Sequence, residues 1–137
     1  MNRIIKFRAW NKEEEKIEYD VIIMDGEVFL KGISGSFYKP DGGLIPMQYT
    51  GLKDKNGKEI YEGDILKSFD LGLPQTEIER YSKAEHKIVE VKFHKGAFIT
   101  DIEWEYARWN LGGIADEDIN KVEVIGNIYE NGELINK

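Results

Sequence analysis

The chain contains no cysteine, which removes disulfides, thiolate nucleophiles and cysteine-based zinc sites together. That usage fits a cytoplasmic protein. His86 and His94 are the only histidines, and their spacing matches neither the strand nor the helix interval that would bring two imidazoles to one side. No Gly-x-Ser-x-Gly elbow is present. Gly32-Ile33-Ser34-Gly35 runs into Ser36-Phe37-Tyr38 without the further glycine, lysine and hydroxyl of a nucleotide cradle. No catalytic, cofactor-binding or metal site is therefore expected, and no small-molecule substrate is marked. Long apolar runs are missing too, so neither a signal peptide nor a membrane span is expected.

Positive charge is in short supply: 19 lysines and arginines stand against 26 acids, a formal charge of −7. At long range that balance opposes nucleic-acid phosphates, although a local basic patch can overcome it. What the chain does have is a globular composition, 41% apolar and 33% charged, with three tryptophans, seven tyrosines and six phenylalanines in 137 residues. That length suits one ordinary domain, or one barrel with a smaller β unit attached.

Short alternating segments dominate. Residues 4–10 place Ile5, Phe7 and Ala9 on one strand face. Residues 12–16 are a solvated connection. A strand is expected over 16–24, with Ile17, Tyr19, Val21 and Ile23 on one side, and Asp25-Gly26 turns it into Val28-Phe29-Leu30. Residues 32–43 form a glycine-rich long loop or a ragged hairpin, in which Tyr38 is a recognition tip or Phe37 tucks back onto the sheet. In 47–66, Asn56-Gly57 gives the strongest hairpin signal of the chain, because glycine accepts a positive φ without steric cost. Asp54-x-Asn56 starts like a calcium loop, but its sixth position is Glu59 and its twelfth Ile65, where glycine and a bidentate glutamate belong. Gly63 is read as permitting a tight approach and Asp64 as bonding nearby backbone N–H groups, in preference to an acid–base pair with Glu59 or Glu62.

Residues 69–86 read as a loop with at most two helical turns, a short helix within 74–86 being the alternative because Thr76-x-x-Glu79 has capping-box spacing. Residues 88–93 are a strand, and His94-Lys95-Gly96 turns into Ala97-Phe98-Ile99. Residues 102–111 read as an aromatic strand carrying Trp104 and Trp109, with a helix as the alternative. Gly112-Gly113 ends it and residues 115–119 make one helical turn. A final strand covers 122–129, in which Gly126 leaves a flat spot for a neighbouring side chain. The expected core is Ile5, Phe7, Ile65, Val89, Val91, Phe93, Val124 and Ile128.

Three stretches carry a resemblance: Ile5-Lys6-Phe7-Arg8-Ala9-Trp10; Met47-Gln48-Tyr49-Thr50-Gly51-Leu52-Lys53-Asp54 with Asn56-Gly57 and Glu59-Ile60-Tyr61-Glu62-Gly63-Asp64-Ile65; and Val124-Ile125-Gly126-Asn127-Ile128-Tyr129-Glu130-Asn131. Together they resemble the YopX family of small phage and prophage proteins. The resemblance implies an SH3-like barrel in the C-terminal part and implies no reaction; residues 69–86 depart from it as a variable insert. The expected fold is mainly β: an N-terminal β extension over 1–50 packed on a small SH3-like β-barrel over 51–137.

Such a chain is expected to be a non-enzymatic phage-type accessory protein that binds a protein partner or itself. Its aromatics exceed what a core of this size encloses, and Tyr38, Tyr49, Trp104 and Trp109 are the candidate contact residues. The structural turn residues are Asn56, Gly57, Gly63 and Asp64. The alternative is a nucleic-acid module in which Arg8, Trp10, Lys92, Arg108 and Trp109 converge on one face. A further variant is an acidic DNA mimic, which needs a stripe of carboxylates without intervening lysines.

Overall fold

The computed structural model describes residues 4–68, 87–94, 97–100, 109–110 and 122–135. The fold is mainly β, with a curled half-barrel sheet, an arrangement compatible with the SH3-like expectation. Among the described residues the one helical element is a 3-10 turn at Gly132–Leu134, and no helix is long and apolar enough to cross a membrane. The loop with its short helix near Thr76 as alternative, most of the aromatic segment 102–111 and the helical turn at 115–119 lie outside the described residues. The chain divides into two compact units, Met1–Gly51 and Leu52–Lys137.

In the first unit, β1 (Phe7–Asn11) pairs antiparallel with β2 (Lys16–Glu18) on one side and with the long strand β6 (Leu44–Lys53) on the other. A separate three-stranded sheet is built from β3 (Val21–Met24), β4 (Glu27–Lys31) and β5 (Phe37–Tyr38) in that order. The single strand expected over 16–24 is thus two strands in two sheets. The chain bends at Tyr19-Asp20 because β2 takes its hydrogen bonds from β1 and β3 takes its own from β4. The turn at 25–26 forms as read: Met24 faces Glu27, and Asp25 and Gly26 adopt φ +52° and +79°. Two consecutive positive φ values give the twist that joins paired strands without splaying them.

The second unit begins at the far end of β6, which turns at 54–58 into β7 (Glu59–Tyr61). Its main sheet has the order β11-β10-β9-β8-β12, with β8 at Asp64–Ser68, β9 at Lys87–His94, β10 at Ala97–Thr100, β11 at Trp109–Asn110 and β12 at Val122–Asn127. The register aligns Val124, Leu66 and Val89 in one row across three strands. These three, with Ile60, Val91 and Val122, form the core, against which Leu52 and Phe98 pack. Ile65, Val89, Val91 and Val124 are therefore buried as expected. Ile128 and Phe7 are half-buried. Two core assignments are corrected: Ile5 lies ahead of β1 and is 60% exposed, and Phe93 is 50% exposed. The buried side of β9 ends at Val91; Phe93 instead meets its register partner Phe98 edge-on at 5.1 Å between ring centroids.

Among the described residues, four of the five buried polar side chains are Asx residues at strand ends, namely Asn11, Asp54, Asp64 and Asn127. Each accepts backbone N–H groups that a turn would otherwise leave unpaired. Asn11 Oδ1 takes the N–H groups of Glu13 and Glu14 at 3.0 and 3.1 Å, which shapes the connection 12–15. Asn127 Oδ1 takes those of Tyr129 and Glu130 at 3.0 and 2.9 Å. Asp64 Oδ2 accepts from Tyr61 N–H at 2.8 Å. Gly63, between them, has φ +88°. Its N–H donates to the Val91 carbonyl at 2.8 Å and its own carbonyl accepts from Ile128 N–H at 2.9 Å, so one residue ties β9 to the end of β12.

Candidate interaction surface

The sheet β3-β4-β5 has two unlike faces, and the alternation along β4 sets them apart. Val28 and Leu30 point inward and are buried, whereas Glu27, Phe29 and Lys31 point outward. The register adds Met24 beside Glu27, Ile22 beside Phe29 and Phe37 beside Lys31. The outer face therefore carries four large apolar side chains. Ile22 and Phe29 are half-buried, while Met24 is 51% and Phe37 49% exposed. Lys39 lies over the Phe29 ring, 5.1 Å from its centroid, and bonds Glu27 Oε1 at 2.8 Å. Phe37 does not tuck back: β5 holds only two residues, and both are half-exposed. Beyond it, the loop preceding β5 presents Ile33 fully to solvent.

The residues singled out from sequence divide sharply. Tyr38 is 50% exposed on β5. Tyr49 is not available as an anchor: it is 5% exposed, its N–H donates to the Lys6 carbonyl at 2.9 Å and the Lys6 ammonium lies over its ring. It alternates with Met47 on the buried side of β6, and an aromatic inside a ten-residue strand has an inward face to fill. Trp109 lies in β11, and Trp104 falls outside the described residues. Of the cationic set, Arg8 is buried, Trp10 is half-buried and Lys92 is exposed in the other unit, while Arg108 lies outside the described residues. Met24, Phe29 and Phe37 were missed as surface residues. The alternation of 27–31 carried the signal, but a Val-Phe-Leu run does not say which neighbour is covered.

In the second unit the turn 54–58 is held by one carboxylate. Asp54 Oδ1 accepts from Asn56 N–H at 2.8 Å and Lys58 N–H at 2.9 Å, and Oδ2 accepts from Val124 N–H at 2.9 Å. Gly57 takes φ +80° within that turn. At the other end of β12, a Cβ on Gly126 would fall onto the Asn131 side chain, 2.6 Å from its Cγ, and Asn131 Oδ1 accepts from Asn127 N–H at 3.2 Å.

These arrangements occupy the stretches that carry the family resemblance, and a family model described as YopX protein matches residues 6–136. The chain belongs to the YopX family. Two crystal structures share its fold. Protein EF1440 from Enterococcus faecalis is 28% identical with a TM-score of 0.58, and the match covers 97% of this chain and 99% of that one. Protein yopX from Bacillus subtilis is 22% identical with a TM-score of 0.52, covering 94% and 96%. No curated protein matches the chain. In this YopX chain the polar residues of the signature, Asp54, Asp64, Asn127 and Asn131, are engaged with turn backbone.

Tyr129, also in a YopX-like stretch, has its phenol held above the ordinary tyrosine range, first by burial and then by the carboxylates of Glu62 and Glu90. A raised pKa in the folded state means that the unfolded chain ionises first, so stability is lost as pH rises above about 10. Tyr129→Phe is expected to flatten the fall in melting temperature above about pH 10. A variant whose alkaline fall matches wild type would remove Tyr129 from this role.

Proposed function

We propose that the protein is a non-enzymatic accessory protein of phage or prophage type that acts by binding protein, either a partner or a second copy. The outer face of β3-β4-β5 carries this reading. Met24 and Phe37 stand on the solvent side of a sheet whose other side already supplies the buried Val28 and Leu30. Contiguous apolar side chains rimmed by charge mark contact surfaces in soluble proteins. The nucleic-acid alternative has less support, because Arg8 is buried and the formal charge is −7. The mimic alternative is opposed by lysines that interrupt the acids: Lys16 bonds Glu14 at 2.9 Å, Lys39 bonds Glu27 at 2.8 Å and Lys55 approaches Glu123 at 3.5 Å.

Affinity capture from the host cytoplasm, run with wild type and with Met24→Asp/Phe37→Asp, tests the assignment. A specific protein, or the chain itself, should be retained by wild type and lost by the variant, with the melting temperature of the variant unchanged. A wild-type chain that stays monomeric and retains no protein, yet binds a short oligonucleotide at micromolar concentration with steep salt dependence, would replace this reading with the nucleic-acid one.

A further inference from the structure

Resting on that reading, we infer that the occupant of the outer face of β3-β4-β5 is a second copy of the chain, stacked face to face with the strands of the two copies antiparallel. The charge order along β4 carries the inference. Its outward residues are acid, aromatic and base: Glu27, Phe29 and Lys31. A two-fold axis lying in the interface, across the strands at Phe29, sets each Glu27 opposite Lys31 of the other copy. An axis along the strands would instead set Glu27 against Glu27 and Lys31 against Lys31, and like charges across an interface are disfavoured.

The apolar corners agree with the same axis. Met24 sits beside Glu27 on one edge strand and Phe37 beside Lys31 on the other, at diagonally opposite corners of the sheet. Turning the face about the axis across the strands brings the second copy's Met24 over the corner beside Lys31 and its Phe37 over the corner beside Glu27, towards which Lys39 leans. Such a contact is self-complementary, as a two-fold interface requires. Lys39 leans along the sheet to Glu27 at 2.8 Å. Each Glu27 would then lie between its own Lys39 and the Lys31 opposite.

The patch is small. Three strands about 4.8 Å apart and about five residues long at 3.3 Å per residue cover far less than the roughly 800 Å² per partner of a standard interface. Association is therefore expected at tens of micromolar and above, and to weaken with salt.

Sedimentation velocity of the full chain from micromolar to several hundred micromolar reads the outcome. Wild type should show a concentration-dependent dimer. Glu27→Lys and Lys31→Glu should each be monomeric alone, at least tenfold weaker, with unchanged melting. Mixed in equal amounts they should associate again, because the first variant is basic at both positions and the second acidic at both, so each facing pair is again opposite in sign. Wild type that stays monomeric throughout, or single variants that dimerise as wild type does, would overturn the inference. So would a mixture that remains monomeric. The wider interaction reading stands or falls separately, on whether Met24→Asp/Phe37→Asp abolishes capture of a different protein.

Discussion

Replacing Asp54 by alanine is expected to destabilise the second unit by about 3–5 kcal/mol, since a buried carboxylate with three N–H donors would vanish and hydrogen bonds to charged groups contribute roughly 1.5–3 kcal/mol each without adding fully. Two of the donors, Asn56 and Lys58, shape the turn between β6 and β7, and the third, Val124, belongs to the central part of β12. The damage therefore extends beyond one hairpin. Asp54→Asn keeps the shape but puts an amide NH₂ where one acceptor was, so it should fall between wild type and alanine. The check is the midpoint of urea unfolding at an unchanged slope. A loss under about 1 kcal/mol for the alanine variant would show that water serves the three amides equally well.

Gly126→Ala is expected to cost about 2–3 kcal/mol, because the new methyl falls onto the Asn131 side chain and overpacking of a closed site costs roughly 1–3 kcal/mol before any lost hydrogen bond. Asn131→Ala should cost about 1 kcal/mol by removing the acceptor of Asn127 N–H. The pair is predicted to be non-additive: alanine at 131 removes Oδ1 and Cγ but leaves its Cβ 2.9 Å from the new methyl, so part of the clash persists and the double variant should lose less than the sum of the two single losses. Additive losses would mean that the two residues act independently.

Much of this was legible in the sequence because turn chemistry is local. Asp25-Gly26 and Asn56-Gly57 declare turns within a few residues, and both form with positive φ at the glycine. The flat spot at Gly126 was legible as well, though its occupant, Asn131, was not. Alternation marked Val89 and Val91 as core. It failed at Phe93, where the strand continues past the edge of what covers it. At Tyr49 alternation holds, with Met47 and Tyr49 together on the inward side of β6, and it is the count of surplus aromatics that misleads. Residues 16–24 read as one strand because periodicity contains no information about which neighbour each half will pair with. Asp54 is legible only as part of the polar stretch around Asn56-Gly57 and as the start of a calcium loop that fails at Glu59 and Ile65; its bond to Val124 spans 70 positions, and no local pattern reports such a distance. On this sheet Tyr38 is legible as an exposed aromatic, but its register with Leu30 sets it on the face opposite the candidate contact surface, whereas Met24 and Phe37 become visible only once the register sets them on one face.

That 70-residue reach bears on how the chain comes off the ribosome. Strand β8 emerges early, yet one of its two neighbours is β12, and the turn that begins the unit leaves a carboxylate waiting for Val124. A nascent chain can close β3 on β4 as soon as both are out. It cannot close the half-barrel until nearly all of its residues have been made. Contacts this distant along the chain slow folding and leave strand edges uncovered meanwhile. The second unit is thus the part whose yield should depend on synthesis rate, on chaperones, and on never being cut short before Asn127.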